Sequence, residues 1–333
     1  MTELRRAEID VGSRWATPTL ADVLAARRIV GAHLLRTPLH AHAGLSGLVG
    51  AETLVKHENH LPTGAFKVRG GLNLVSQLSQ DERERGLVTA STGNHGQSIA
   101  YAARRFDVRV RVCVPVGANP VKLRAIEALG AELVVHGRDF DEAREHCERL
   151  ALEHGYRYVH SGNEPLLIAG VGTYTLEVLE QEPEVDAIVV PIGGGSGAAG
   201  ACIVAKTIRP ECEVIGVQSE SAPAAFRSWE TRSIYEDRML TSAEGLATRV
   251  GFELPQRVLW EQLDDFVLVS EEEIRAATGL MIEHTRNLVE AAGAAPLAAA
   301  LRLRDRLAGK RVVLVCSGGN ITVDQLRALL DGA

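Results

Sequence analysis

Short runs of aliphatic and β-branched residues alternate along the chain with longer stretches whose apolar positions recur at helical spacing. The apolar runs fall at 53–57, 87–91, 108–116, 131–137, 156–160, 186–192, 213–220, 265–270 and 311–316, and each predicts a strand. Helical spacing covers 19–31, 65–79, 98–106, 119–130, 139–154, 165–182, 196–208 and 294–308. A further helix opens at the capping pair Ser270 and Glu273. Residues 221–262 keep no period and read as irregular, with loops and short helices. Such alternation predicts βαβ units, hence an α/β fold of parallel-rich twisted sheets flanked by helices.

The length of 333 residues exceeds one ordinary core. The compact run 85–162 predicts a small α/β domain, and 1–84 with 163–333 a larger one made from both ends of the chain. Apolar residues make up 46 % and charged residues 24 %, as in soluble globular proteins. A net charge of −7 leaves no basic surplus for nucleic acid. Cys113, Cys147, Cys202, Cys212 and Cys316 are scattered without a CxxC pair, which suits reduced thiols in a reducing compartment. The first residues lack the apolar core of a secretory signal, and no run approaches the ~20 apolar residues of a membrane span. The expectation is a soluble, cytoplasmic protein.

Four segments could carry chemistry. In PTGAFKVRG (62–70), Pro62 and Gly64 form a turn that places Lys67 in the first turn of a helix. The helix dipole, low dielectric and the neighbouring cation Arg69 would each depress its ammonium pKa, as carbonyl chemistry requires. Taken alone, the nine residues favour a plainer reading, a surface lysine on an amphipathic helix. ASTGNHGQ (90–97) offers backbone N–H groups at a helix start, with Ser91, Thr92 and Asn94 as further donors, which suits a carboxylate. His95 could act as a base, although a histidine at a helix start is more often structural. GGGSG (193–197), between a buried strand and a helix, forms a phosphate cradle. Gly195, Gly197 and Gly200 also fit G-x-G-x-x-G with Glu220 beyond, a dinucleotide-binding spacing. CSGGN (316–320) follows the last strand, and by itself is a plain turn.

In this order the segments resemble the fold type II, or β-family, pyridoxal-phosphate enzymes, and within them the threonine/serine dehydratase and serine racemase group. The resemblance runs from about Thr37 to Asn320. It implies that Lys67 carries pyridoxal 5'-phosphate as a Schiff base, with Phe66 packed nearby and Asn94 bonded to the ring hydroxyl. It places the phosphate on Gly193, Gly194, Gly195, Ser196 and Gly197, and the pyridine nitrogen against Ser317. It places the substrate carboxylate among Ser91, Thr92, Asn94, His95 and Gly96. A neutral hydroxyl at the ring nitrogen leaves a shallower electron sink than a carboxylate, which favours expulsion of a β-substituent over transamination.

The implied reaction is dehydration and deamination of a β-hydroxy α-amino acid, such as L-threonine or L-serine, to a 2-oxo acid and ammonia. Freed Lys67 removes the α-proton. Thr92 stands where racemases of the group carry a serine for the opposite face, so an amino-acid racemase is the alternative. More remote are a nicotinamide-dependent oxidoreductase built on 186–220 and a non-catalytic binding protein. A divalent-cation site of some relatives falls on Gln218 and Ala224 here, so no metal is expected. The biosynthetic threonine enzymes' C-terminal regulatory domain, and with it isoleucine feedback, is not expected either. The substrate side chain is expected against 221–262, where Arg249 could meet an acidic group or, more in keeping with such positions, be a solvated charge. The resemblance also implies a homodimer.

Overall fold

The computed structural model describes residues 15–331. Strands β1 (Leu39–Ala41), β2 (Glu52–His57), β7 (Ala187–Pro191), β8 (Glu213–Ser219), β9 (Asp265–Val269) and β10 (Arg311–Cys316) form one sheet in the order β1-β2-β10-β7-β8-β9. Only β1 runs antiparallel in it, against β2. Strands β3 (Leu87–Ala90), β4 (Val110–Val114), β5 (Glu132–Val135) and β6 (Arg157–Tyr158) form a second, parallel sheet ordered β5-β4-β3-β6. The first sheet therefore takes its strands from both sides of the segment that makes the second.

Fifteen α-helices and two short 3-10 helices, Glu58–His60 and Glu244–Leu246, accompany the sheets among the described residues. The α-helices are α1 (Leu20–His33), α2 (Ala43–Val49), α3 (Lys67–Ser76), α4 (Gln80–Arg85), α5 (Asn94–Arg105), α6 (Pro120–Ala128), α7 (Phe140–His154) and α8 (Pro165–Gln181). After them come α9 (Ser196–Ile208), α10 (Ala224–Thr231), α11 (Glu253–Gln262), α12 (Glu271–Thr285), α13 (Ala291–Arg302), α14 (Arg304–Leu307) and α15 (Val323–Asp331).

Strand alternation sorts the larger core into two faces. Ile188, Val190, Val313 and Val315 point to the side covered by α1, α8 and α9. Val189, Val312, Leu314 and Cys316 point to the side covered by α2, α12 and α13. Because both faces are covered, the central strands read as continuous apolar runs. Helix α3 joins the two halves, packing on α5 of the smaller sheet and α8 of the larger. A methyl group on Gly170 would meet the Arg69 carbonyl oxygen and Gly70 Cα, each at 2.7 Å, and one on Gly71 would collide with Ser98. These close crossings, with the 2.6 Å hydrogen bond from Ser98 Oγ to the Lys67 carbonyl oxygen, hold the start of α3 in place.

Several expected elements change extent. The 65–79 helix starts at Lys67 with Phe66 as its N-cap, the 108–116 strand shortens to β4, and the helix expected over 294–308 is α13 followed by α14. The irregular 221–262 segment contains α10 and α11, stapled together by Trp260 Nε1 donating to the Ser228 carbonyl oxygen at 2.8 Å. Short α2, α4 and α15 have no counterpart in the apolar pattern.

Candidate active site

Lys67 is the first residue of α3, behind a turn in which Gly64 takes a left-handed φ of 66°. The residue is half-buried, and its amine lies among protein atoms 2.8 Å from Ser196 Oγ and 3.3 Å from the Ser161 carbonyl oxygen. Burial lowers its pKa to about 8. Arg69 was expected to help in this, and it does not. Its guanidinium turns away into a buried network, donating to Glu58 at 2.6 Å and to Glu177 at 2.7 Å. Two residues along a helix the side chains diverge, so the neighbour in sequence is no neighbour in space.

Ser196 opens α9, and Gly195 before it adopts φ 87°. The loop is pressed from behind: a Cβ on Gly193 would collide with Gly245, and one on Gly194 with the Phe252 ring. The main-chain N–H groups from Gly193 through Gly197 find no acceptor among the described residues. A row of free N–H groups at a helix start, beside an amine, suits a dianion. Phe66 lies edge-on to Tyr174, whose hydroxyl donates to the Gly197 carbonyl oxygen at 2.9 Å.

The 91–96 segment comes near the same amine through His95, on which the Lys67 charge acts. Ser91 Oγ accepts from Gly93 N at 3.2 Å and Gly96 N at 2.9 Å, so these residues brace the loop against itself. The N–H groups of Thr92, Asn94 and His95 find no acceptor among the described residues, which leaves three donors at the start of α5 for a carboxylate. Thr89 Oγ1 spends its proton on the Val159 carbonyl oxygen at 2.8 Å and must accept from His95 Nε2, 2.9 Å away. His95 is therefore the Nε2–H tautomer, with Nδ1 buried and unpartnered. Burial, then Lys67, push its pKa down to about 3, so the ring is too weak a base for the role open to it.

Ser317 is buried just past β10, and its carbonyl oxygen accepts from Phe66 N at 3.0 Å. Glu290, the N-cap of α13, is half-buried and its carboxyl accepts from Asn94 Nδ2 at 2.7 Å, and desolvation raises its pKa. Asn320 Nδ2 donates to Asn94 Oδ1 at 2.7 Å. A cavity of about 470 Å³, lined by Glu290, Asn320, Lys122 and Glu244 among others, reaches this side of the site.

Residues 30–318 match the family described as "Pyridoxal-phosphate dependent enzyme". The chain belongs to that family. Among relatives of this pyridoxal-phosphate enzyme, an L-threonine ammonia-lyase of Thermotoga maritima is 38 % identical over 94 % of this chain and 78 % of its own. An L-threo-3-hydroxyaspartate ammonia-lyase of Saccharomyces cerevisiae is 32 % identical over 95 % and 97 %. Among solved structures, serine racemase from Dictyostelium discoideum is similar with a TM-score of 0.87, at 34 % identity over 92 % of this chain and all of that one (100 %). The fold class and the cofactor expected from the motifs hold.

The residues fit pyridoxal phosphate on their own terms: a low-pKa amine 2.8 Å from the Ser196 hydroxyl, main-chain N–H groups of that same loop without acceptors among the described residues, and a buried hydroxyl rather than a carboxylate after β10. The family match favours the phosphate cradle over the nicotinamide reading of 186–220. Gly200 serves packing, since a Cβ there would lie 2.8 Å from Gly172 N, and Glu220 is exposed past β8. Gln218 donates to the Leu246 carbonyl oxygen at 3.5 Å and accepts from Phe226 N at 3.0 Å, so its neutral amide ties the 246–248 loop to α10, which begins at Ala224. Arg249 pairs with Asp141 at 2.9 Å on the half-exposed surface between the two sheets' segments.

Asn320 stands in the sequence reading only as the end of CSGGN (316–320), with no role, and sequence reasoning missed Glu290, His160 and Asn163. His160 Nδ1 accepts from Gly162 N and Asn163 N at 3.0 and 2.9 Å, and Asn163 Oδ1 accepts from Leu254 N at 3.1 Å. A pattern HxxN after a strand was their one available signal, and it is too short to be read alone.

Proposed function

We propose that this enzyme eliminates water from a small β-hydroxy α-amino acid such as L-threonine or L-serine, giving a 2-oxo acid and ammonia. The observation that carries the reading is the Lys67 amine, with its pKa near 8, set 2.8 Å from Ser196 at the N–H row of the glycine loop. Bound pyridoxal phosphate supplies an electron sink for the α-carbon. Lys67, once free, holds and moves the α-proton, and a neutral amine at this pKa is present in quantity near neutral pH. The N–H groups of Thr92, Asn94 and His95 orient the carboxylate, while Ser91 and Gly96 hold that loop in shape. Gly193 to Gly197 hold the phosphate, Phe66 flanks the ring, and Ser317 offers the ring nitrogen a neutral partner. Ammonia-lyase relatives acting on threonine and on hydroxyaspartate support the β-hydroxy class.

A second reading rests on Thr92, whose hydroxyl has no hydrogen-bond partner among the described residues and could protonate the face opposite Lys67. A serine racemase relative 34 % identical over 95 % of this chain lends it support. The separate sheet formed by β3 to β6 supports a small domain over 85–162, with 1–84 and 163–333 forming the larger one. The five buried, free cysteines agree with a reducing, cytoplasmic setting, and among the described residues no helix is long and apolar enough to cross a membrane. The homodimer comes from family resemblance.

The test is borohydride reduction of the holoenzyme, locating the adduct by mass spectrometry, followed by assay of serine, threonine and 3-hydroxyaspartate stereoisomers for 2-oxo acid and for optical inversion. An adduct on Lys67 with 2-oxo acid as main product is expected. Inversion without 2-oxo acid would make it a racemase, and an adduct elsewhere would end both readings.

A further inference from the structure

Asn94 is the residue that the cofactor reading sets against the ring hydroxyl, and the structure restricts how its carboxamide can face. An amide has two flips, and the network decides between them. The ordering starts at a main-chain carbonyl. The Thr63 oxygen can only accept, so the Asn320 atom 2.8 Å from it is Nδ2. That same nitrogen sits 2.7 Å from Asn94 and, being a donor, fixes the facing atom as Oδ1. Asn94 Nδ2 then faces Glu290 Oε1 at 2.7 Å. Two partners from remote segments thus agree on one orientation.

The Glu290 carboxyl sits in a slot made for it. Its N–H donates to the Gly318 carbonyl oxygen at 3.1 Å, and a Cβ on Gly318 would collide with Oε1. The same strip is stitched to the lysine turn by Gly319 N donating to the Gly64 oxygen at 2.9 Å. Asn94 Nδ2 carries two protons, and Glu290 takes one.

We propose that Glu290 and Asn320 are positioning residues that lock the Asn94 carboxamide in this flip, so that its remaining N–H, and not its oxygen, meets the ring hydroxyl of pyridoxal phosphate. The inference rests on the cofactor reading given above. A donor at that point stabilises the ionised ring oxygen, whereas the opposite flip would set two oxygens against each other. Burial raises the pKa of the Glu290 carboxyl, so desolvation works against a charge at this acceptor.

Three variants test it: Glu290→Gln, which keeps an oxygen for Asn94, Glu290→Ala, which does not, and Asn320→Asp, which removes the donor that sets the flip. Each apoprotein is titrated with pyridoxal phosphate for its Kd, and the visible absorption band of the reconstituted protein is recorded. Glu290→Ala and Asn320→Asp should weaken cofactor binding about tenfold, the scale of one lost buried hydrogen bond, and shift the band. Glu290→Gln should stay within about threefold of wild type, with the band in place. Wild-type affinity and band in Glu290→Ala, or equal losses in the Gln and Ala variants, would overturn the proposal. Should Glu290→Ala fold poorly, Asn320→Asp decides by the same two readings. A wild-type protein that gives no borohydride-fixed adduct on Lys67 is a separate outcome: it refutes the cofactor reading and takes this inference with it.

Discussion

A lysine attacks a carbonyl only as the free amine, so the position of its pKa decides how much of Lys67 is ready near neutrality. At about 8, roughly a quarter of it is neutral at pH 7.5, against about a thousandth for an unperturbed lysine. The rate at which apoprotein takes up pyridoxal phosphate should therefore climb with pH and level off just above 8. A rise continuing past pH 10 would mean that burial does not depress the amine. Linkage gives an independent reading. The folded state binds fewer protons than the unfolded one between pH 8 and 10.5, so the apoprotein should gain stability across that window relative to Lys67→Met. At this scale, legibility followed local density. Lys67 and the glycine loop stand in runs whose composition has little structural excuse. Glu290 is one carboxyl 196 positions from the Asn94 it holds, and only the fold gives it meaning.

The start of α3 is where helix, ion network and site meet. Arg69 and Lys56, both fully buried, face Glu58 and Glu177, so two cations balance two carboxylates among β2, α3 and α8. Removing one member strands the others. Arg69→Met should cost about 3–5 kcal/mol in urea unfolding, because Glu58 would remain buried without its cation. The double variant Arg69→Met with Glu58→Leu should recover part of that loss, since it leaves the Lys56–Glu177 pair intact at 2.6 Å. A single-variant loss under about 1 kcal/mol would show that the network is not a closed charge set. None of this was visible from spacing, which made Arg69 a partner of Lys67. The parallel strands were legible because both their faces are covered. Helices α10 and α11 were legible only as unplaced short helices within 221–262, because tertiary contacts such as Trp229 Nε1 donating to the Leu259 carbonyl oxygen at 3.1 Å hold segments that propensity alone does not mark.

For the molecule as a whole, the buried histidines set the response to acid. Burial pushes His57 and His95 down to about 3 and His160 down to about 4, from an ordinary value of 6.5. A base with a depressed folded pKa binds fewer protons folded than unfolded, so stability is complete above 6.5 and falls as the pH drops through the window below it. At pH 5.5, one unit into that window, each ring costs about 1.4 kcal/mol, roughly 4 kcal/mol for the three. Glu290 works the other way, since its raised pKa lets the folded state hold a proton that the unfolded state releases, but a single carboxyl opposes three rings. Urea midpoints should consequently fall between pH 7.5 and 5.5, and His95→Gln should flatten the slope by about a third. The loss should be felt first at the site, because His95 and His160 both count Lys67 among the charges acting on them, and each new imidazolium would face that ammonium. Cofactor affinity should then decline over the same pH range as the urea midpoint in wild type, and less steeply in His95→Gln. Stability independent of pH from 7.5 to 5.5 would mean that these rings find water or partners on protonation, and that the interior around Lys67 is wetter than its depressed pKa requires.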